Sequence, residues 1–226
     1  MIDSWIARHP PARVIAALAP LVSEERKARI ARVLGARLGQ LTVVLENLHD
    51  PHNGAAALRS VEGFGLSERH VVEGTEPFRF SSKVSQGCEK WVAIARHRSF
   101  AACAAALHER GFRLHAALPG AATALEEIDV GVPTALCIGN EHAGLTPEAI
   151  AACDGAYAIP MAGFTQSFNL SVSVALSVHD TARRRRVVLG QPGDLDEAER
   201  ERLTARAYAL SMDERTAQGL VEREAG

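Results

Sequence analysis

Between residues 41 and 160, short apolar runs alternate with helix-patterned segments, and this alternation narrows the fold more than any other feature of the chain. The strand-like runs are 41–46, 69–73, 91–95, 112–117, 134–138 and 156–160, and helical patterns fall near 53–64, 98–110 and 145–153. A parallel neighbour can be reached only through a long crossover, and helical crossovers cover the faces of the sheet. The expectation is an α/β domain over 41–187, a parallel sheet with helices on both faces, ending in a long helical pattern at 167–187. Residues 1–40 read as a basic helical arm, in which Arg8, Arg13, Arg26, Lys27, Arg29, Arg32 and Arg37 face three acids. Ser23 before Glu24-Glu25-Arg26 resembles a helix start, and Ile30, Val33, Leu34 and Leu38 recur near helical spacing. Residues 188–226 form a charged C-terminal helical extension.

Bulk properties exclude several classes. A chain of 226 residues, 47% hydrophobic and 23% charged, buries a sizeable core as an ordinary globular protein. Its net charge of −2 supplies no global attraction to nucleic acid, so any such binding must come from local patches. Cys88, Cys103, Cys137 and Cys153 form no CxxC pair and no signal peptide opens the chain, which suits free thiols in a cytoplasmic protein. No apolar run reaches the length of a membrane span. His49 and His52 flank a proline turn, there is no HExxH, and no metal is expected. Gly63-Phe64-Gly65 supplies half a dinucleotide fingerprint, but Glu68 occupies the third glycine position and the pair ends a helix.

Parallel α/β sheets bind ligands at the carboxyl ends of their strands, so the loops after the strands carry the chemistry. The first, Asn47–Arg59, runs from a proline turn at Asp50-Pro51 into a helix of small residues, with Asn53 placed to cap it and Arg59 the first long polar side chain. The residues alone leave open whether this is a site or a tight strand–helix junction with a surface arginine. The second loop is Gly139-Asn140-Glu141-His142-Ala143-Gly144-Leu145; the third runs from Ile159-Pro160-Met161 through Ser167-Phe168-Asn169 to Ser171. Glycines expose backbone polar groups and the flanking residues are apolar, which suits an adenosine-like ligand. Without a lysine in either loop, a triphosphate does not fit.

Together and in this order the three stretches resemble the motifs of the SpoU (TrmH) family of RNA ribose 2′-O-methyltransferases, within the SPOUT class. Phe168 stands where that family usually has leucine. The resemblance spans roughly residues 40–187. It implies S-adenosylmethionine as methyl donor, a C-terminal trefoil knot that connection rules alone would not suggest, and a homodimer with a shared active site. The short basic arm, the C-terminal extension and the stretch Gln86-Gly87-Cys88-Glu89-Lys90-Trp91-Val92 are similar to the branch that methylates guanosine 18 in the tRNA D-loop. A ribosomal RNA 2′-O-methyltransferase and an inactive RNA-binding relative are the alternatives.

The resemblance also implies roles. Arg59 is the activating residue, although guanidinium is a poor base; stabilising a developing alkoxide is the reading we favour. Asn53 orients the arginine or the ribose, or simply caps its helix. Glu141 hydrogen-bonds across motifs or subunits, or accepts the proton. Ser167 and Asn169 join the active site, and Leu136, Gly139, Ile159, Met161, Ser167 and Phe168 form the cofactor slot. For RNA the candidates are Lys90, Arg8, Arg13 and the run Arg183, Arg185 and Arg186, against which stands a solvated helix end or a brace for the fold.

Overall fold

A computed structural model describes residues 2–74 and 87–223 and divides the chain into two units, Leu38–Gln191 and a helical unit built from Met1–Arg37 with Pro192–Gly226. Gln86 lies outside the described residues.

In the larger unit, β1 (Leu41–Glu46) is buried at every position, so it needs a neighbour on each edge and cover on each face. It pairs in parallel with β2 (Glu68–Val72) and with β5 (Thr134–Ile138). Strands β3 (Ala93–His97), β4 (Arg113–Ala117) and β6 (Gly155–Tyr157) complete a six-stranded parallel sheet of order β3-β2-β1-β5-β4-β6. The last strand is shorter than its apolar run, because Ile159-Pro160 already belongs to the loop and proline cannot donate to a ladder.

One face of the sheet packs on α4 (Pro51–Gly63) and α7 (Leu170–Leu189), around Leu45, Leu58, Leu136 and Val174. The other packs on α5 (Phe100–Glu109) and α6 (Pro147–Ala151), around Val44, Cys103, Leu107 and Leu114. The chain therefore leaves β1 toward one face and β5 toward the other. Adjacent strands whose connections part in this way leave a crevice at their carboxyl ends, where open α/β sheets bind ligands.

α4 starts two residues earlier than its apolar pattern suggests. Pro51 occupies the first turn, where its missing N–H costs nothing, and Asp50 rather than Asn53 is the cap, accepting from the His52 N–H at 2.8 Å. Gly54, Ala55 and Ala57 face inward and are buried, so the small residues serve close helix packing rather than an open approach to the backbone. Beneath them the buried Arg69 donates to the Gly54 carbonyl at 3.1 Å.

In the helical unit, α2 (Pro11–Leu18) packs on α8 (Glu197–Ala209) and α9 (Glu214–Arg223), with Val14, Leu18, Ala205, Ala209 and Val221 buried. α1 (Ile2–Ile6) and α3 (Glu24–Gly35) also contact α8, and Ser23 caps α3 as its sequence suggests. Gly193 lets the returning chain pass close by: a Cβ there would stand 2.5 Å from the Arg37 carbonyl oxygen.

Glu46 ties the end of β1 to the start of α6. It is 3% exposed, and its carboxylate accepts from both the backbone N–H and the hydroxyl of Thr146, each at 2.8 Å, just before α6. Replacing it by alanine strands two donors, so Glu46→Ala is expected to lower unfolding stability by about 1–3 kcal/mol in urea titration.

Candidate active site

The loops after β1 and β5 are joined by a single carboxamide. Asn140 Nδ2 donates to the Asn47 carbonyl at 2.7 Å, while its Oδ1 accepts from the N–H groups of His142 and Ala143. Its own backbone exchanges two hydrogen bonds with Gly144, at 2.9 and 3.0 Å. Asn47 holds φ at +50°, a left-handed conformation that asparagine tolerates better than most residues. Gly139 admits no side chain, since a Cβ would lie 2.1 Å from the Gly144 carbonyl carbon and the Leu145 nitrogen.

This closed loop presents Glu141 to α4. Asn53 Nδ2 donates to Glu141 Oε1 at 3.0 Å, and the His49 N–H reaches Oε2 at 3.4 Å. From the third loop, Asn169 Nδ2 donates to Asn53 Oδ1 at 3.1 Å, while Asn169 Oδ1 caps α7 through Ser171. Three sequence-distant polar residues, Asn53, Glu141 and Asn169, thus form one chain of hydrogen bonds. Arg59 lies on α4, two turns beyond His52, and is exposed with no hydrogen-bond or ion-pair partner among the described residues.

Beside this chain a cavity of about 530 Å³ opens between the loops, of a size suited to a nucleoside-like ligand. Gly139, Ile159, Met161, Ser167 and Phe168 line it, as does Glu141. Leu136 does not. It is wholly buried in the core, and Ile138, two residues nearer the strand end on the same face, lines the cavity in its place. Tyr157 also lines it; burial pushes its phenol well above the usual tyrosine range, and its hydroxyl donates to Ser177 Oγ at 2.9 Å. Tightly apposed backbone at Gly139, apolar walls and hydroxyl-bearing Ser167 match the requirements of an adenosine moiety with a polar tail.

The arginines expected on RNA are mostly engaged inside the domain. Arg185 is 2% exposed and donates to the carbonyls of Val130 and Val132 and to Gln40 Oε1, at 2.8, 3.0 and 3.0 Å. Arg186 donates to the Phe64 carbonyl at 2.7 Å, and Arg184 to those of Ile128 and Leu125. Carbonyls in the 3₁₀ turn at Leu125–Glu127 and the irregular stretch after it need donors, and guanidinium supplies them in a fork. Arg183 alone of the run is largely exposed, with an ion pair to Asp180 at 3.6 Å. In the helical unit Arg13 is half-buried and donates to the Val221 carbonyl, so it braces that unit, whereas Arg8 is exposed. Lys90 is exposed at the end of a short helical turn.

A second polar group lies under α5, where His70, His97 and Cys103 come together. His70 Nδ1 and His97 Nε2 meet at 3.0 Å with ring centroids 5.2 Å apart and planes within 26°. The rings stack, with one nitrogen of each within hydrogen-bond distance of the other. Burial pushes the Cys103 thiol up to about 12, far from the thiolate a nucleophile requires.

Residues 40–179 match the SpoU rRNA Methylase family, and the chain belongs to that family. It is 40% identical over 164 residues to the tRNA (guanosine(18)-2′-O)-methyltransferase of Thermus thermophilus, covering 72% of this chain and 84% of that one. A crystal structure of an Aquifex aeolicus TrmH/SpoU tRNA modifying enzyme superposes with a TM-score of 0.73 at 28% identity, over 84% of this chain and 98% of that one. An rRNA methyltransferase from Sinorhizobium meliloti, solved with AdoMet bound, gives a TM-score of 0.59 at 25% identity, over 66% of this chain and 58% of that one.

The two kinds of arginine on α7 separate by experiment. Arg185→Ala is expected to cost about 2–4 kcal/mol of unfolding stability, since buried acceptors lose their donor. Arg183→Ala is expected to cost less than about 0.5 kcal/mol in the same urea titration.

Proposed function

We propose that this chain is a tRNA (guanosine-18-2′-O)-methyltransferase that uses S-adenosylmethionine. The observation that carries the reading is the chain of hydrogen bonds Asn169–Asn53–Glu141, which gathers all three loops beside the cavity, with the exposed Arg59 on the same helix as Asn53. The names of the relatives supply the target nucleoside. Gly139, Ile138, Ile159, Met161, Ser167 and Phe168 hold the cofactor, which brings an activated methyl group on sulfonium.

The chain's own residues have two tasks: to place the ribose hydroxyl in line with the methyl group and to stabilise the oxygen as its proton leaves. Glu141 and Asn169 fix the Asn53 carboxamide, and the rigid first turn of α4 presents it to the ribose. Arg59 sets a permanent positive charge near the developing alkoxide, where an arginine acts far better than as a base. Exposed Arg8, Lys90 and Arg183 meet tRNA phosphates, supplying local positive charge that a net −2 does not.

The assembly we propose is a cytoplasmic homodimer. Among the described residues no helix is long and apolar enough to cross a membrane. Phe168 just before α7, and Val172 and Leu176 within it, are 38–43% exposed and recur every four residues. An apolar stripe of this kind next to a cavity calls for cover, and a second copy would cover it while bringing groups to the ribose side. The trefoil knot of the SPOUT class belongs to the same reading.

Two outcomes follow. Arg59→Ala is expected to lower the rate of methyl transfer to tRNA by roughly 10²-fold or more with cofactor affinity by calorimetry unchanged within a few-fold; turnover above a tenth of wild type would sink the role. Sedimentation is expected to show a dimer at micromolar concentration that Val172→Asp with Leu176→Asp dissociates. A fully active monomer would end the shared-site reading. Ribose-methylation mapping of total RNA from a deletion strain identifies the target, and a lost mark on ribosomal RNA would displace guanosine 18.

A further inference from the structure

The group under α5 lies apart from the crevice and takes no part in methyl transfer. Parallel pairing sets His70 opposite Ala95 and Val72 opposite His97, so the two histidines are diagonal neighbours on one face of β2 and β3. Side chains alternate along a strand, and Glu68, His70 and Val72 turn together to the side that α5 covers. Cys103 sits on the buried side of α5, one turn after the Ser99 cap. Strand β3 is the edge of the sheet, and His97 at its end is half-buried, which gives solvent access to the group.

Three donor atoms gather there. His70 Nδ1 and His97 Nε2 stand 3.0 Å apart, and Cys103 brings its sulfur so that one ligand atom from each residue lies within 4.8 Å of the others. With zinc–nitrogen distances of about 2.0–2.1 Å and a zinc–sulfur distance of about 2.3 Å, tetrahedral donors stand roughly 3.3–3.7 Å apart. Side-chain movements of about an ångström therefore bring all three onto one ion. Two imidazoles and a thiolate suit zinc, whereas calcium and magnesium take oxygen ligands. Among the described residues no other three His, Cys, Asp or Glu side chains gather in this way.

The far side of His70 carries a second, independent observation. His70 is 3% exposed, and its Nε2 is buried without a hydrogen bond, 3.5 Å from Glu68 Oε1. That same oxygen is held by the Arg110 guanidinium at 2.5 Å. A buried ring nitrogen left beside a carboxylate calls for an explanation. An imidazole bound to metal through one nitrogen keeps its proton on the other and directs it to a carboxylate, which fixes the ring and strengthens it as a ligand. Glu68 stands where that acceptor belongs. Its negative charge also offsets the one positive charge that a dication retains after binding a thiolate.

We propose that His70, His97 and Cys103 bind a zinc ion that joins β2, β3 and α5, with Glu68 positioning His70 and a water completing the coordination. Both imidazoles bind as neutral rings, through His70 Nδ1 and His97 Nε2. The Cys103 thiol gives its proton to solvent as the sulfur–zinc bond forms, since a coordinating thiol is deprotonated by the metal even where burial alone would keep it protonated. The ion braces the edge strand, which has a neighbour on one side only and follows the turn that carries Lys90. No short motif marks the site, because His70 and His97 are 27 positions apart. The inference is independent of the methyltransferase reading, since zinc binding is measured without RNA or methyl donor.

Untagged full-length protein purified without chelator is expected to carry one zinc per chain by plasma mass spectrometry, and Cys103→Ala and His97→Ala to carry little. After the ion is stripped, cobalt(II) is expected to give a thiolate-to-cobalt charge-transfer band in the wild type that Cys103→Ala lacks. Zinc titration of the stripped chain is expected to show binding weakened about 10- to 100-fold by Glu68→Gln, which leaves all three ligands in place. With free zinc at a hundredfold excess over the dissociation constant, the wild-type Tm is expected to rise by roughly 5–10 °C, and that of Cys103→Ala not to respond. Should a ligand variant fail to fold, the cobalt spectrum of the wild type and the Glu68→Gln titration decide. A wild type that takes up no zinc overturns the site and leaves a pair of hydrogen-bonded histidines. Zinc uptake that persists in Cys103→Ala, or a cobalt adduct without the thiolate band, overturns it too and puts the ion elsewhere on the chain. An active methyltransferase that binds no zinc keeps the earlier reading and loses this one.

Discussion

Everything at the carboxyl edge of the sheet depends on Asn140. Its carboxamide closes the loop after β5 with one atom and fastens that loop to the Asn47 carbonyl after β1 with the other. Asn47 in turn donates its N–H to the Val72 carbonyl at 3.0 Å, so one side chain links the ends of three adjacent parallel strands. Parallel strands have no hairpin to hold their ends together. Without such a tie, the loops that leave β1 and β5 toward opposite faces would move independently, and Glu141 would not meet Asn53.

Around that tie, polar residues divide by burial. Glu46, Arg69 and Arg185 are nearly or wholly out of water and serve the chain's own backbone and hydroxyl groups, which fixes helix starts and the 125–132 segment. Asn53 and Asn169 are partly or largely exposed and satisfy one another, leaving orientation but not desolvation cost in the site. Arg59, His52 and His49 stay exposed. The gradient runs from rigid support to exposed groups in the loop before α4 and over its first three turns.

The periodicity of the sequence made the sheet legible. β1 and β5 coincide with their apolar runs, and the remaining strands shift by one to three residues at an end, where proline and loop carbonyls decide the boundary. The motif residues were legible as a set because three loops recur in a known order, yet which of them bond to each other was not, since Asn53 and Asn169 are 116 positions apart. The cap of α4 was misplaced because Asn53 and Asp50 are both good caps and only the helix start distinguishes them. Arginines 184–186 read as a solvated or RNA-facing run; a sequence of charges carries no sign that carbonyls 50 or more residues away will claim the guanidinium groups. Leu136 and Ile138 share a strand face, and only depth along the strand separates core from cavity wall.

The helical unit is assembled from two segments with residues 38–191 between them, and this has a consequence for the order of synthesis. When Trp5, Val14 and Leu18 leave the ribosome, the helices that bury them have not been made. At about 5–20 residues per second, the 154 residues of the intervening unit take on the order of ten to thirty seconds to translate. The larger unit, continuous in the chain, completes its sheet and crevice in that interval, while the early helices wait with their apolar sides uncovered. A nascent chain of this design is open to association at these early helices until residues 192–226 are made and cover them.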